Sequence, residues 1–283
     1  MAVFRIVLIV GFSITGVSHI LGLILVRIVK TDLPNQRLLT SNLALAEFLG
    51  SCYLLLDVSK NSDWDYADAF FDVFIYTATR IIVLVIILDR YFDIHLNIKY
   101  PVYVNRKKLL QINIIVWILS GGLALLLTLL AKFQISLNTL YVCLSFILLF
   151  FDVVIITAAI VTYFYLYACV RRIKINMTCG LTSEISPCWM KFRIPFMMVA
   201  SHILFNTTST LVKITMNLSD VNKPQVNVYV GVFHLLDICG WLADVFIYVF
   251  LQKRIRGFLL SAVKRRSNSS ISITSVDTAI TRL

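Results

Sequence analysis

The sequence predicts an all-α membrane protein: a seven-transmembrane helix bundle followed by a short amphipathic eighth helix. Three observations predict it. The 283 residues are 59% hydrophobic and only 14% charged, with a mean hydropathy of +0.86, whereas a soluble domain is about half apolar and about a quarter charged. Apolar segments long enough to cross a hydrocarbon core of roughly 30 Å recur along the chain. The basic residues gather in alternate loops.

Ile6 to Val26 is uncharged for 21 residues. That is longer than the apolar core of a cleavable signal peptide, and no small-residue cleavage site comes after it, so it reads as the first span. The further spans are Leu38–Leu56, Ala69–Leu88, Leu109–Ala131, Leu140–Val170, Ile194–Val212 and Val226–Leu251. The third, fifth and seventh contain charges, yet removing any one would leave basic loops on both faces. Twenty of the 26 Lys and Arg residues then fall on one side, with Arg106, Lys107 and Lys108 in one loop and Arg171, Arg172 and Lys174 in the next. This bias puts the N-terminus outside and the C-terminus in the cytoplasm. The net charge of +11 thus faces anionic lipid of the bilayer and calls for no nucleic-acid partner.

Residues 1–251 read as the bundle, 252–264 as the amphipathic cytoplasmic helix, and 265–283 as a Ser/Thr-rich tail expected to be disordered. Within Gln252–Lys264, Ile255, Phe258, Leu259, Ala262 and Val263 share one helical face, opposite the more polar Lys253, Arg254, Arg256 and Lys264. The six cysteines are scattered without a Cys-x-x-Cys or a His-rich partner segment, which gives no metal centre. No internal repeat and no transporter-like pair of Gly/Pro-broken spans is visible.

At the inner end of span three stands Leu88-Asp89-Arg90-Tyr91, running on to Tyr100-Pro101. Asn42-Leu43-Ala44-Leu45-Ala46-Glu47 lies in span two, Trp117 in span four and Asp244-Val245-Phe246-Ile247-Tyr248 in span seven. In order and spacing these segments resemble the rhodopsin-like, or class A, G-protein-coupled receptors, over about Val3 to Val263. The resemblance implies a plasma-membrane receptor, not an enzyme, that transduces an extracellular small-molecule or peptide ligand to a heterotrimeric G protein. Asp89, Arg90, Tyr91, Asp244 and Tyr248 would form its activation switch. Physically, an arginine beside its own aspartate at the inner face can be held there or released towards a partner.

Span five lacks the family's proline, and span six offers Pro195 and Ser201-His202-Ile203-Leu204-Phe205-Asn206 in place of Cys-Trp-x-Pro. Asp244 and Val245 stand for asparagine and proline, His19 lies near the usual asparagine of span one, and Asp65 takes the place of a disulfide cysteine. Only Lys132 to Thr139 separates spans four and five. The short second outer loop, the missing disulfide, the missing span-five proline and the Asp-x-x-Ile-Tyr ending at Asp244 to Tyr248 resemble the branch holding melanocortin, adenosine and cannabinoid-type receptors. Span seven has no lysine, which excludes a retinal Schiff base.

For the ligand, Asp65, Asp68 and Asp72 stack along one face at the outer end of span three, and Asp57 at the outer end of span two can join them. Such a stripe calls for something cationic, an amine or a basic peptide. Asp72 lies about 27 Å along the helix from Arg90, where aminergic receptors hold their amine. Melanocortin receptors resemble this differently, with calcium beside a peptide; Asp57 and Asp65 match two of their acids and the third falls on Ala69. Glu47, Thr79 and Asp244 fall where the family surrounds a sodium ion. Two carboxylates that close need a cation or a shared proton. Arg80 needs a partner, for which Asp152 is a candidate, and His234 and Asp237 are either pocket-facing or packed. Two rival readings use the same residues: an ion-coupled transporter with Glu47, Arg80 and Asp244 as relay, and an intramembrane metal hydrolase with His202, His234 and Asp237. Thr281-Arg282-Leu283 fits a ligand of a PDZ-domain protein, and Asn217-Leu218-Ser219 is the glycosylation site expected outside.

Overall fold

Runs of Leu, Ile, Val and Phe leave the helix as the means of pairing every backbone N–H and C=O away from water. Among the described residues proline does not interrupt them, because it stands at helix starts, where its missing N–H costs nothing. Pro34, Pro101, Pro195 and Pro224 all stand within the first two residues of a described helix. A computed structural model describes residues 2–29, 34–59, 66–96, 99–133, 137–176, 194–218, 223–250 and 254–261, and these are all helical apart from one or two residues at helix ends and turns. The elements are α1 (Ala2–Ile28), α2 (Pro34–Ser59), α3 (Tyr66–Leu96), α4 (Tyr100–Tyr103), α5 (Arg106–Phe133), α6 (Leu137–Asn176), α7 (194–201), a π-helical segment (His202–Thr207), α8 (Thr208–Leu218), α9 (Lys223–Phe250) and α10 (254–261).

Six of these helices, α1, α2, α3, α5, α6 and α9, are long and apolar enough to cross a membrane. Their outward faces are apolar. On α1, Ile6, Val10, Ile14, Val17, Leu21, Ile24 and Ile28 are all exposed, as are Ile114, Ile118, Leu125 and Leu129 on α5. Charged and polar side chains, by contrast, are inside: Glu47, Asp152, His202 and His19 are wholly buried. Polar inside and greasy outside reverses the soluble pattern and fits lipid as the surrounding solvent. The chain is a multi-pass membrane protein.

The described helices close into a ring. α1 packs on α2 and α9, α9 on α8, α8 on α6, and α6 on α3 and α5; α3 also contacts α2 and α5. Small residues allow the tight approaches. A Cβ at Gly50 of α2 would lie 2.8 Å from the Trp241 ring of α9 and 2.9 Å from Ile75 of α3, so three helices meet where only a hydrogen fits. One cluster, including Leu43, Ile82, Ile86, Ile155, Val199 and Tyr248, fills the half of the bundle where α3 ends. A smaller one, including Phe12, Leu54 and Trp241, joins α1, α2 and α9 in the other half.

Six of the seven expected spans fall on α1, α2, α3, α5, α6 and α9, which run past them by as many as eight residues, at the end of α3; the sixth, Ile194–Val212, falls on α7, the π-helical segment and α8, with one consequential difference. The apolar run of span six stops at Val212, which would leave Lys213 as a loop-side charge; helix continues to Leu218 and Lys213 is buried, at 8% exposure. Only 254–261 of the expected amphipathic helix is described. There Ile255 is buried, Phe258 and Leu260 are exposed, and the expected Lys253, Ala262, Val263 and Lys264 lie outside the described residues. The Ser/Thr-rich tail and Thr281-Arg282-Leu283 also lie outside them, as does Asp65.

Candidate functional site

Four residues spaced by four, Asp68, Asp72, Tyr76 and Arg80, lie on one stripe of α3 and are all buried. They form the spine of two adjoining polar clusters. In the first, Asp237 of α9 accepts hydrogen bonds from the Tyr76 hydroxyl and from Ser209 Oγ at 2.8 Å. Lys213 of α8 lies with Nζ 3.7 Å from the centre of the Tyr76 ring and 4.4 Å from that of Phe233, a cation–π arrangement. Asp72, Asp237 and His234 all act electrostatically on or with Lys213. Asp57 is half-buried at the end of α2, and the Asp68 carbonyl accepts from Tyr53 at 3.0 Å.

Directly beneath, Arg80 Nε donates to Asp152 Oδ1 at 2.9 Å and its Nη2 donates to Thr210 Oγ1 at 2.6 Å. Asp152 also meets His202 Nε2 at 3.0 Å and accepts from Thr210 at 3.1 Å. His202 Nδ1 is 3.0 Å from Asn206 Nδ2. The π-helical turn has a local effect here. Its wider hydrogen-bonded turn shifts the register of the helix beyond it, and His202, Asn206, Ser209 and Thr210 all end up buried against α3, α6 and α9. Removing one partner of such a buried pair costs about 3–5 kcal/mol.

The third cluster joins α1, α2, α7 and α9. His19 Nδ1 lies 2.9 Å from the Tyr248 hydroxyl and His19 Nε2 lies 3.5 Å from Glu47 Oε2. Glu47 faces Asp244, with Ser201 beside it. Among the described residues Glu47 Oε1 and Oε2, Asp244 Oδ1, Ser201 Oγ and His19 Nε2 are buried. Glu47 and Ser201 both lie within hydrogen-bonding reach of Asp244, so this oxygen-rich group suits either a shared proton or a small hard cation. Thr79 is buried, but its hydroxyl donates to Ile75 of its own helix.

The fourth lies where α3 ends. Arg90 donates to Asp89 through Nε at 3.0 Å and again through Nη2, while its Nη1 meets Asp93 at 3.3 Å. Tyr100 of α4 donates to the other oxygen of Asp89 and accepts from Asn35 of α2 at 3.0 Å. Burial, with the Asp89 carboxylate beside it, pushes the Tyr100 phenol above its usual range. Tyr91 stacks on His95, whose Nδ1 lies 3.0 Å from the Tyr165 hydroxyl.

The geometry therefore assembles Glu47 with Asp244 and Tyr248, and Asp89 with Arg90. It supplies Arg80 with Asp152. It divides the His202, His234 and Asp237 set between two clusters, and the Glu47, Arg80 and Asp244 set likewise. Among the described residues no three His, Cys, Asp or Glu side chains are placed to hold a metal ion. Asn217 Nδ2 bonds to Ser145 at 3.2 Å, which ties the expected glycosylation asparagine to α6. Sequence reasoning misses Tyr76, Ser209, Lys213 and Tyr100; the four-residue spacing after Asp68 is the available signal for Tyr76. No protein-family model matches the chain, and no curated protein matches it.

Proposed function

We propose that the protein is a seven-helix receptor of the rhodopsin-like type, which couples a charged extracellular ligand held near Asp72 to a cytoplasmic G protein. In this reading α7, the π turn and α8 form a span of 25 residues between α6 and α9, the bundle lies in the plasma membrane, and α3 runs from the outer to the inner face. The observation that carries it is the state of Arg90. The guanidinium, 2% exposed, is folded back on Asp89 and Asp93 while Tyr100 holds Asp89 from the adjoining loop helix. That is the resting position of a residue whose release would present a positive group to a partner.

Two further contacts support it. Asn42 and Trp117, 75 residues apart, are joined by a hydrogen bond of 2.9 Å from the indole, and Glu47 and Asp244 meet in the core. Each pair consists of residues that the resemblance singled out separately. The outer and middle clusters, which share α3 and α8, offer a route by which a ligand at Asp72 bears on helix positions deeper in the bundle.

The experiment is nucleotide exchange on added heterotrimeric G proteins by membranes bearing the protein, with cationic amines, basic peptides and amines that also carry a carboxylate, with and without calcium. Wild type is expected to stimulate exchange above Arg90→Ala at matched surface expression. Equal exchange by the two would overturn the reading, and ion-gradient-driven uptake would support a transporter instead.

A further inference from the structure

Lys213 Nζ covers the ring of Tyr76 at 3.7 Å, and Asp72 lies one helical turn before Tyr76 on the same buried stripe of α3, with no ion pair between the ammonium and the carboxylate among the described residues. Among the described residues the Lys213 ammonium makes no hydrogen bond and no ion pair; its close neighbours are the faces of Tyr76 and Phe233. Asp72, 4% exposed, likewise accepts no hydrogen bond among the described residues. Yet the two interact electrostatically. Asp237 is different, since Tyr76 and Ser209 both donate to it. A carboxylate and an ammonium that are each more than nine-tenths buried and make no direct bond to an oppositely charged group are costly unless something bridges them.

The charges decide what bridges them. A plain amine would satisfy Asp72 but set a second cation against Lys213. A plain carboxylate would satisfy Lys213 and repel Asp72 and Asp237. A molecule carrying both groups satisfies both side chains at once. The buried His234 Nδ1, without a hydrogen-bond partner among the described residues, adds a polar group beside Lys213, and the rings of Tyr76 and Phe233 supply apolar walls. We infer that this site takes a small zwitterion of the α-amino-acid class, with its ammonium on Asp72 and its carboxylate on Lys213. The inference rests on the receptor reading for its signalling consequence; binding itself can be read without any G protein.

The test uses the full chain purified into lipid nanodiscs and monitors thermal stabilisation by the L-α-amino acids. Each is compared with its decarboxylated amine and its deaminated acid: L-phenylalanine, 2-phenylethylamine and 3-phenylpropionate form one such trio. At least one amino acid is expected to bind wild type about tenfold or more tightly than either truncated partner, the range of a lost charge-assisted hydrogen bond. Lys213→Met should lose the amino acid and gain the amine, and Asp72→Asn should lose both. The inference fails if no amino acid binds wild type, if the amine binds as tightly as the amino acid, or if Lys213→Met binds the amino acid undiminished. The wild-type comparison stands even where a variant does not fold. Binding with no exchange activity would leave the zwitterion site intact and count against the receptor reading alone.

Discussion

Arg80 of α3 reaches Asp152 of α6 at 2.9 Å in a region where both side chains are almost wholly buried. The pair joins two helices far apart in sequence, and His202 and Thr210 bond the same carboxylate from the π turn and α8. A buried ion pair adds little over a well-packed apolar pair, but half of one is costly. Arg80→Met and Asp152→Leu should therefore each lower stability by about 3–5 kcal/mol, and the double variant should recover much of the loss. Thermal unfolding in detergent measures this. Strictly additive losses would show that the two side chains do not act as a pair.

The inner cluster makes a different prediction. Tyr100 donates to Asp89 and so helps to hold Arg90 folded back. A hydrogen bond to a carboxylate is worth roughly 1.5 kcal/mol, or about tenfold in an equilibrium. Tyr100→Phe is expected to raise basal nucleotide exchange by up to about tenfold, with Arg90→Ala lowering it. Exchange by Tyr100→Phe equal to wild type, at equal surface expression, would argue that the loop helix does not restrain the arginine.

Close packing at Gly22 can be tested against a control in the same protein. A Cβ there would lie 2.8 Å from Tyr248 Cε2 and 3.0 Å from its hydroxyl, whereas a Cβ at Gly122 meets nothing within 4 Å. Gly22→Val should displace Tyr248 from His19 and cost about 1–3 kcal/mol. Gly122→Ala, which suits a helix better than glycine, should be neutral or slightly stabilising. Matching unfolding temperatures for the two variants would contradict this account.

The spans are legible in the sequence because each needs only a run of apolar residues, and the packed faces are legible only in part. Asn42, Trp117, Glu47 and Asp244 can be named one by one, since each stands in a segment that resembles the rhodopsin-like receptors. Which of them touch cannot be read, because contacts between helices depend on rotation about each axis. Lys213 escapes notice for a simple reason: it comes after an apolar run, and a lysine there ends the hydropathy signal whether it faces water or turns inward to Asp72 and Asp237. The π turn leaves no signal either, as Ser201 to Thr207 contains no proline or glycine. Tyr100 lies outside every span and gains its role from the fold of α4 against α3.

Glu47 and Asp244 carry the last prediction. Two carboxylates facing each other in an apolar core cannot both hold a charge without a cation or a shared proton. His19, Ser201 and Tyr248 are the polar groups that also face them, from α1, α7 and α9. The Glu47, Asp244 and Ser201 oxygens are buried together, so a sodium ion held by these three residues fits the donors present. Bound only by the folded state, it would stabilise by mass action. The unfolding temperature of purified wild type should rise when sodium chloride replaces choline chloride at pH 8. That increment should shrink at pH 5, where a proton takes the cation's place between the acids. Glu47→Gln, which removes one charge and keeps the shape, should unfold at the same temperature in both salts. Sodium-independent unfolding of wild type at both pH values would mean that a permanently shared proton, rather than a cation, holds the two carboxylates together.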